Sequence, residues 1–153
     1  MRIAEFLDVT AVEASLGASN KPGVIRELVG LMLRVEPELD PNELVESLER
    51  REKLQSTGIG HGVAIPHGKS TGVDRLVACV GRSPGGVDFQ SLDGMPTHLF
   101  FTLLVPESEH GIHIKALARL SRLLKDMRIR RRLLDAPDSS TMYDILLEED
   151  DKL

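Results

Sequence analysis

The sequence predicts an α/β fold in which a mixed β-sheet is flanked by helices on both faces. Helical periodicity marks the beginning and the end of the chain, whereas the middle holds short apolar runs separated by turn residues. The run HLFFTLLV at 98–105 is apolar on both sides, which is typical of a central strand covered by helices. We found no repeat or low-complexity linker, so residues 1–153 are predicted to form a single domain.

The N-terminal third of the chain predicts two helices. The first twenty residues are only weakly patterned, but from Pro22 apolar residues recur at helical spacing, at Val24, Leu28, Leu31 and Val35. A second helix is expected after Asp40, which serves as N-cap before Pro41 at the first position. Glu43 would complete a capping box, and the helix should continue towards Arg51.

The middle of the chain predicts four strands, at 63–65, 75–81, 86–89 and 98–105. Turn residues are expected to separate them, namely Gly72, the cluster Pro84-Gly85-Gly86, and Asp93-Gly94. The chain then returns to helix, with an apolar face predicted at Ile114, Leu117, Leu120 and Leu124. Shorter helices are expected at 127–135 and 139–148.

Composition excludes several classes of function. The net charge of −5 gives no general attraction to nucleic acid or to anionic lipid. No apolar run is long enough to insert into a membrane and the N-terminus does not resemble a signal peptide, so a cytoplasmic protein is expected. The single cysteine, Cys79, lies in an apolar run and is predicted to be buried.

A glycine-rich segment, GIGHGVAIPHGKS at 58–70, invites comparison with phosphate-binding loops. A P-loop has four residues between its first glycine and Gly-Lys-Ser, whereas five residues separate Gly62 from Gly68 here. A dinucleotide-binding glycine motif follows a strand and opens a helix, but this segment follows a helix and leads into a strand. Both nucleotide-binding interpretations are therefore rejected.

Histidines offer a second interpretation of the same region. His61, His67, His110 and His113 could approach one another, but no thiol or carboxylate completes a recognised zinc pattern, so no metal site is predicted. His98, at the start of an apolar strand, is interpreted as a structural or partly exposed residue.

The remaining alternatives are a plain turn and a reactive histidine. The strand at 63–65 delivers His67 through the rigid ring of Pro66. Gly68 follows, and we expect it to leave open space beside the imidazole. From these residues alone, both alternatives stay open.

Two longer stretches carry a family resemblance. REKLQSTGIGHGVAIPHGKS at 51–70 and LLVPESEHGIHIKALARLSRLL at 103–124 resemble the enzyme IIA domain of the fructose/mannitol class of the bacterial phosphotransferase system. The chain is most similar to the stand-alone, nitrogen-regulatory branch. The resemblance implies that His67 accepts a phosphoryl group, that His113 is a second active-site histidine, and that Arg51 neutralises phosphoryl charge. His61 departs from the family pattern, in which a small or amide residue is expected.

The resemblance also implies partners and a role. His67 would receive its phosphoryl group from a phosphohistidine carrier of the HPr or NPr type, and neither a cofactor nor a metal is required. The sequence contains no recognisable membrane segment or IIB-like region, so sugar uptake would need separate partners. This favours a regulatory role, and the alternative is a sugar-transport IIA that passes phosphate to a IIB component.

A basic stretch between 115 and 132 contains a single acidic residue, Asp126, among eight basic ones. Its default interpretation is a solvated helical face, and the alternatives are a docking surface for an acidic partner or, less favoured, for nucleic acid. The acidic tail EEDD at 148–151 is expected to screen this patch.

Overall fold

The computed structural model describes residues 1–109 and 111–153, and within these ranges it contains six strands and five α-helices. The strands are β1 (Leu7–Glu13), β2 (Gly58–Gly60), β3 (Val63–Ala64), β4 (His67–Ser70), β5 (Val77–Val87) and β6 (Thr97–Pro106). The helices are α1 (Lys21–Val35), α2 (Pro41–Leu54), α3 (Ile112–Leu124), α4 (Met127–Asp135) and α5 (Ser139–Asp151). None of the helices in these ranges is both long and apolar enough to cross a membrane.

All six strands form one mixed sheet in the order β1-β5-β6-β3-β2, with β4 pairing with β6 beyond β3. β1 runs parallel to β5, and β5 runs antiparallel to β6. β3 and β4 both run parallel to β6, so that His67 lies opposite Leu103 in the register. The central strand β6 therefore supports the histidine-bearing segment along its whole length.

Each face of the sheet is covered by helices, which confirms the predicted fold class. Alternate residues of β6 point to opposite faces: Leu99 and Phe101 join one core, whereas Phe100 and Leu104 join the other. The first core also contains apolar residues of α3, α4 and α5, and the second contains those of α1 and α2. Cys79 belongs to the second core and is fully buried, as predicted.

Strand β1 is absent from the sequence-based prediction. Its residues at 8–10 are exposed in succession, and the register with β5 shifts between Leu7 and Val12. The carboxylate of Asp8 accepts hydrogen bonds from the backbone and the hydroxyl of Thr10. This local turn chemistry removes the alternation by which a strand is recognised.

Two further local predictions are wrong. Pro84, Gly85 and Gly86 do not end a strand, because β5 continues through them with an irregular register and terminates at Val87. At the start of α2, Asp40 does cap the helix by accepting from the backbone N–H of Asn42. Glu43 does not complete a capping box; it accepts a hydrogen bond of 3.4 Å from the Ser70 hydroxyl instead.

The acidic tail does screen part of the basic stretch. Arg119 Nε lies 2.5 Å from Asp150 Oδ1, and Arg128 Nη2 lies 2.6 Å from Glu149 Oε2. Arg132 Nη2 is 3.3 Å from Glu148. These three ion pairs hold α5 against α3 and α4, so part of the positive charge of the stretch is neutralised within the molecule.

Candidate active site

The imidazole of His67 is fixed at the first residue of β4, rather than at the end of the preceding strand. Its Nδ1 lies 2.9 Å from the backbone carbonyl oxygen of Ile65. Since a carbonyl only accepts hydrogen bonds, Nδ1 carries the proton and the lone pair of the neutral ring is on Nε2. Pro66, between these residues, accepts a hydrogen bond from the backbone N–H of Leu103 in β6. The histidine is thereby anchored to the central strand.

Arg51 reaches the same imidazole from the last turn of α2. Its Nε donates a hydrogen bond of 3.2 Å to Nε2 of His67, and its Nη1 donates to the carbonyl oxygen of Gln55 at 2.8 Å. The guanidinium has five N–H donors, of which these contacts use two. Arg51 is therefore in direct contact with the ring nitrogen that carries the lone pair.

Close packing between α2 and β4 sets this geometry. The Ser47 hydroxyl donates a 2.7 Å hydrogen bond to the carbonyl oxygen of Lys69. A Cβ atom at Gly68 would lie 2.5 Å from Ser47 Oγ and 3.1 Å from its backbone carbon. Gly68 is thus required for contact with the helix: Ser47 fills the space on its Cβ side, and the open space expected beside the imidazole lies in the cavity that Gly68 and His67 both line.

His113 approaches from the start of α3. Gly111 precedes the helix in the left-handed region, with φ of +91°, a conformation that glycine adopts without strain. His113 Nδ1 is buried and has no hydrogen-bond partner among the described residues. His110, which also figured in the metal interpretation, lies outside the described residues.

These elements enclose a cavity of about 300 Å³. Its lining residues are Ser47, Arg50, Arg51, Leu54, His67, Gly68, Lys69, Val105 and His113. The three predicted site residues, Arg51, His67 and His113, therefore lie around one cavity. Arg50 and Lys69 are further cations at this cavity that were not predicted from the sequence, although Arg50 is adjacent to Arg51 and Lys69 follows His67 by two residues.

Exposed apolar side chains occur in the lining of this cavity and on the helix that carries His113. Leu54, which lines the cavity, is 81% exposed, and Ile114, next to His113, is 62% exposed. Ile114 was predicted on the buried face of its helix but is exposed. Leu120 and Leu124 of the predicted face are buried, together with Ala116 and Leu123. Exposed apolar side chains beside a cationic cavity are suited to contact with a partner protein.

Burial is the main cause that lowers the pKa of His67 below its ordinary value of 6.5. The guanidinium of Arg51 and the ring of His113 lower this pKa further. The carbonyl of Ile65 and the carboxylate of Glu52 oppose the shift without reversing it. The imidazole is therefore uncharged, and hence nucleophilic, at neutral pH.

Of the described histidines, His61 and His98 do not line this cavity. His61 is exposed, has a φ of +59°, and donates its backbone N–H to Asp93 at 3.1 Å. His98 is half-buried, with Nδ1 3.0 Å from the carbonyl oxygen of Ser83, which fits its predicted structural role. Within the described residues, no three metal-ligating side chains come together.

Comparison with known proteins identifies the family of the chain. The family model described as "Phosphoenolpyruvate-dependent sugar phosphotransferase system, EIIA 2" matches residues 5–149. The "PTS system fructose-specific EIIABC component" of Bacillus subtilis is 37% identical over 150 residues, which is 98% of this chain but only 24% of that protein. A "Nitrogen regulatory protein" of Bradyrhizobium diazoefficiens is 35% identical over 146 residues, or 95% of each chain.

A solved structure extends the similarity to three dimensions. The crystal structure of the nitrogen regulatory protein IIA-Ntr from Neisseria meningitidis superposes with a TM-score of 0.88 at 35% identity. The match covers 94% of this chain and 98% of that one. The chain belongs to the EIIA type 2 family of the phosphoenolpyruvate-dependent sugar phosphotransferase system, as its sequence motifs predicted.

Proposed function

We propose that residues 1–153 act as a single cytoplasmic IIA domain that accepts a phosphoryl group on Nε2 of His67 and uses the phosphorylated state as a regulatory signal. The donor is a phosphohistidine carrier of the HPr or NPr type. The observation that carries the proposal is the hydrogen bond between Nδ1 and Ile65, because it leaves the lone pair on Nε2, the atom that Arg51 contacts. A protein-histidine phosphotransferase needs a nucleophilic nitrogen and adjacent cations in this relationship.

In the proposed reaction, the lone pair of Nε2 forms a new N–P bond while the N–P bond of the donor breaks. The electron pair of the broken bond returns to the donor imidazole. Before transfer, the N–H of Arg51 has to leave Nε2, since one lone pair cannot serve both groups. The carbonyl of Gln55 retains Nη1 at 2.8 Å, so the guanidinium can pivot towards a phosphoryl oxygen without leaving the site.

The cavity contains further donors for the phosphoryl oxygens. Arg50 and Lys69 supply positive charge, and the ring of His113 supplies an N–H. Charge-assisted hydrogen bonds of this kind stabilise the dianionic group and its transition state without a metal ion. The proposed roles are therefore acceptor for His67, charge neutralisation for Arg51, and phosphoryl contact for His113.

The regulatory assignment is supported by the relatives of matching length. The chain spans 95% of the Bradyrhizobium nitrogen regulatory protein and 98% of the Neisseria IIA-Ntr structure. Phosphorylation would add close to two negative charges beside these exposed apolar side chains, which would change the partners that this surface accepts. The exposed Leu54 and Ile114 are the contacts proposed for both donor and target.

Sugar transport is the second candidate function. It is supported by the Bacillus relative, which is named as fructose-specific and of which this chain matches 24%. In that role, the phosphoryl group of His67 would pass to a separate IIB component. The two functions share the acceptor and differ in the fate of the phosphoryl group.

The acceptor is tested by incubating the purified protein with phosphoenolpyruvate, enzyme I and HPr or NPr, and following the intact mass. We expect one acid-labile phosphoryl adduct, which is absent from His67→Ala. The matched control is His61→Asn, because asparagine tolerates the left-handed backbone at this position. A persistent adduct in His67→Ala, or its loss in His61→Asn, would refute the assignment.

His113→Ala separates contact with the phosphoryl group from the acceptor role. We expect slower formation of the adduct at an unchanged final stoichiometry, and an unchanged rate would remove His113 from the mechanism. Adding sugar-specific IIB proteins and sugar then distinguishes the two functions. Rapid loss of the adduct to sugar supports transport, whereas its persistence supports regulation.

A further inference from the structure

Glu52 is a buried carboxylate next to Arg51 in the chain, and none of the roles above uses it. Only 7% of the residue is exposed. Its Oε1 accepts hydrogen bonds from both the backbone N–H, at 3.0 Å, and the hydroxyl of Thr57. Its Oε2 lies 2.8 Å from Nζ of Lys21, outside hydrogen-bond geometry, so this contact is an ion pair. Burying a carboxylate costs free energy unless the group is paired and hydrogen-bonded, and the contacts with Thr57 and Lys21 provide this compensation.

Lys21 is itself held in place at the start of α1. Its Nζ donates to the carbonyl oxygen of Phe89 at 3.1 Å and lies 4.5 Å from the centre of the Phe89 ring. The ammonium therefore joins α1, the end of α2 and the segment after β5. Glu52 is fixed at the centre of this junction.

A continuous path connects the carboxylate to the proposed acceptor. Thr57, held by Glu52, accepts a 3.0 Å hydrogen bond at its carbonyl oxygen from the backbone N–H of Ile65. Ile65 in turn presents its carbonyl oxygen to Nδ1 of His67 at 2.9 Å. Each link is a hydrogen bond between neighbouring segments, so a shift of Thr57 is transmitted to the carbonyl that sets the tautomer.

A second connection runs through α2. Gln55, whose carbonyl oxygen anchors Nη1 of Arg51, lies between Glu52 and Thr57 in the chain. The two hydrogen bonds that Thr57 donates to Glu52 close the short segment that contains Gln55 and its carbonyl. Both groups that contact His67 are therefore supported from the same carboxylate.

We propose that Glu52 is a positioning residue, which holds the carbonyl of Ile65 and the anchor of Arg51 so that Nε2 of His67 stays unprotonated and directed into the cavity. This inference rests on the proposed function for its catalytic consequence. The tautomer of His67, however, can be measured without any phosphoryl transfer. Glu52 acts here through its neighbours and does not touch the reacting group.

The test is a two-bond 1H–15N correlation spectrum of the histidine rings in the unphosphorylated, 15N-labelled protein at pH 8. The unaltered protein should show His67 as the Nδ1–H tautomer. Glu52→Leu removes both acceptor oxygens at similar side-chain volume. It should lower the ratio of the Nδ1–H tautomer to the Nε2–H tautomer about tenfold, as expected for the loss of one hydrogen bond. Glu52→Gln retains an oxygen for Thr57 and should restore most of the ratio.

The matched control is Glu49→Leu, one turn earlier on the same helix. Glu49 is half-buried and makes no hydrogen bond or ion pair with the described residues, so its removal should leave the tautomer unchanged. A general loss of stability in Glu52→Leu would not by itself move the tautomer ratio. If Glu52→Leu does not fold, Thr57→Val is used in its place, because it removes only the hydroxyl contact with Glu52. An unchanged tautomer ratio of His67 in Thr57→Val would overturn the inference.

Phosphoryl transfer gives a second readout. The rate of adduct formation should fall about tenfold in Glu52→Leu and recover in Glu52→Gln. If the unaltered protein forms the adduct but Glu52→Leu changes neither tautomer nor rate, the positioning role is wrong and the proposed function stands. If no adduct forms in the unaltered protein but the tautomer responds, the positioning role stands and the proposed function is wrong.

Discussion

Replacing Gly68 by alanine tests whether contact between α2 and β4 holds the site together. The new Cβ would lie 2.5 Å from Ser47 Oγ, 3.1 Å from the backbone carbon of Ser47 and 3.2 Å from its carbonyl oxygen. Rotation of the hydroxyl would relieve the first contact but would break its 2.7 Å hydrogen bond to Lys69. The two backbone contacts remain, and they can be relieved only by moving the helix.

The expected cost follows from these contacts. A lost buried hydrogen bond costs about 1 kcal/mol, and the displacement of packed elements costs about 1–3 kcal/mol. We therefore expect Gly68→Ala to lower the free energy of unfolding by about 2–4 kcal/mol. Moving α2 outwards also lengthens the 3.2 Å contact between Arg51 and Nε2 of His67, so adduct formation should slow as well.

Urea unfolding and the phosphorylation assay measure these two effects. Gly30→Ala is the matched control, because Gly30 is an exposed residue inside α1 with nothing within 4 Å of its Cβ position. It should stabilise the protein by about 0.5–1 kcal/mol through helix propensity. Ser47→Ala combined with Gly68→Ala should cost less than the sum of the single changes. A free energy of unfolding for Gly68→Ala within about 0.5 kcal/mol of the unaltered protein would refute the packing argument.

Three further outcomes are expected. Arg82→Met should lower the free energy of unfolding by about 3 kcal/mol, measured in urea, because Arg82 donates to the buried carbonyls of Ala14, Leu133 and Ala136 at 2.7–2.9 Å. Because folding lowers the pKa of His67, its imidazole binds a proton more readily in the unfolded chain than in the folded protein. Stability relative to His67→Gln should therefore fall as the pH drops through about 6.5, as urea titrations between pH 5 and 8 would show. Burial raises the pKa of Cys79 to about 12, so a thiol reagent should modify it only in urea; rapid labelling of the native protein would contradict this.

Helices could be predicted from the sequence because their signals are local. Asp40 and Pro41 mark the start of α2, and helical spacing of apolar residues locates α1 and the helices after β6. β1 lacks such a signal, since the neighbours of Val9 are exposed and the strand is held by pairing with β5, which is distant in sequence. The turn predicted at the Pro-Gly-Gly cluster was wrong for a related reason. Its turn propensity was overridden by the pairing of β5 with β6.

The site was predictable in composition and not in geometry. From the residue pattern alone, His67 could belong to a plain turn or be a reactive histidine. The family resemblance then indicated that Arg51 and His113 lie beside it. The tautomer depends on the distance between Nδ1 and the carbonyl of Ile65, which no residue pattern encodes. The same is true of Gly68, whose close contact with Ser47 follows from the packing of a helix on a strand.

In the free protein, Arg51 donates a hydrogen bond to Nε2 of His67, the nitrogen proposed as the phosphoryl acceptor. A hydrogen bond from a charged donor contributes about 1.5–3 kcal/mol, so the contact from Arg51 opposes approach to Nε2 until an incoming phosphoryl group offers the guanidinium a better acceptor. A dianionic phosphoryl group does so, whereas a neutral electrophile does not. If His67 is the acceptor, as proposed, Arg51 would first cover the lone pair of Nε2 and then bind the transferred group. If Gln55 keeps its hydrogen bond to Nη1, the proposed exchange would need only a small rotation of the guanidinium. The exposed Leu54 follows Arg51 by three residues on α2, so a partner bound there would lie close to the site of this change.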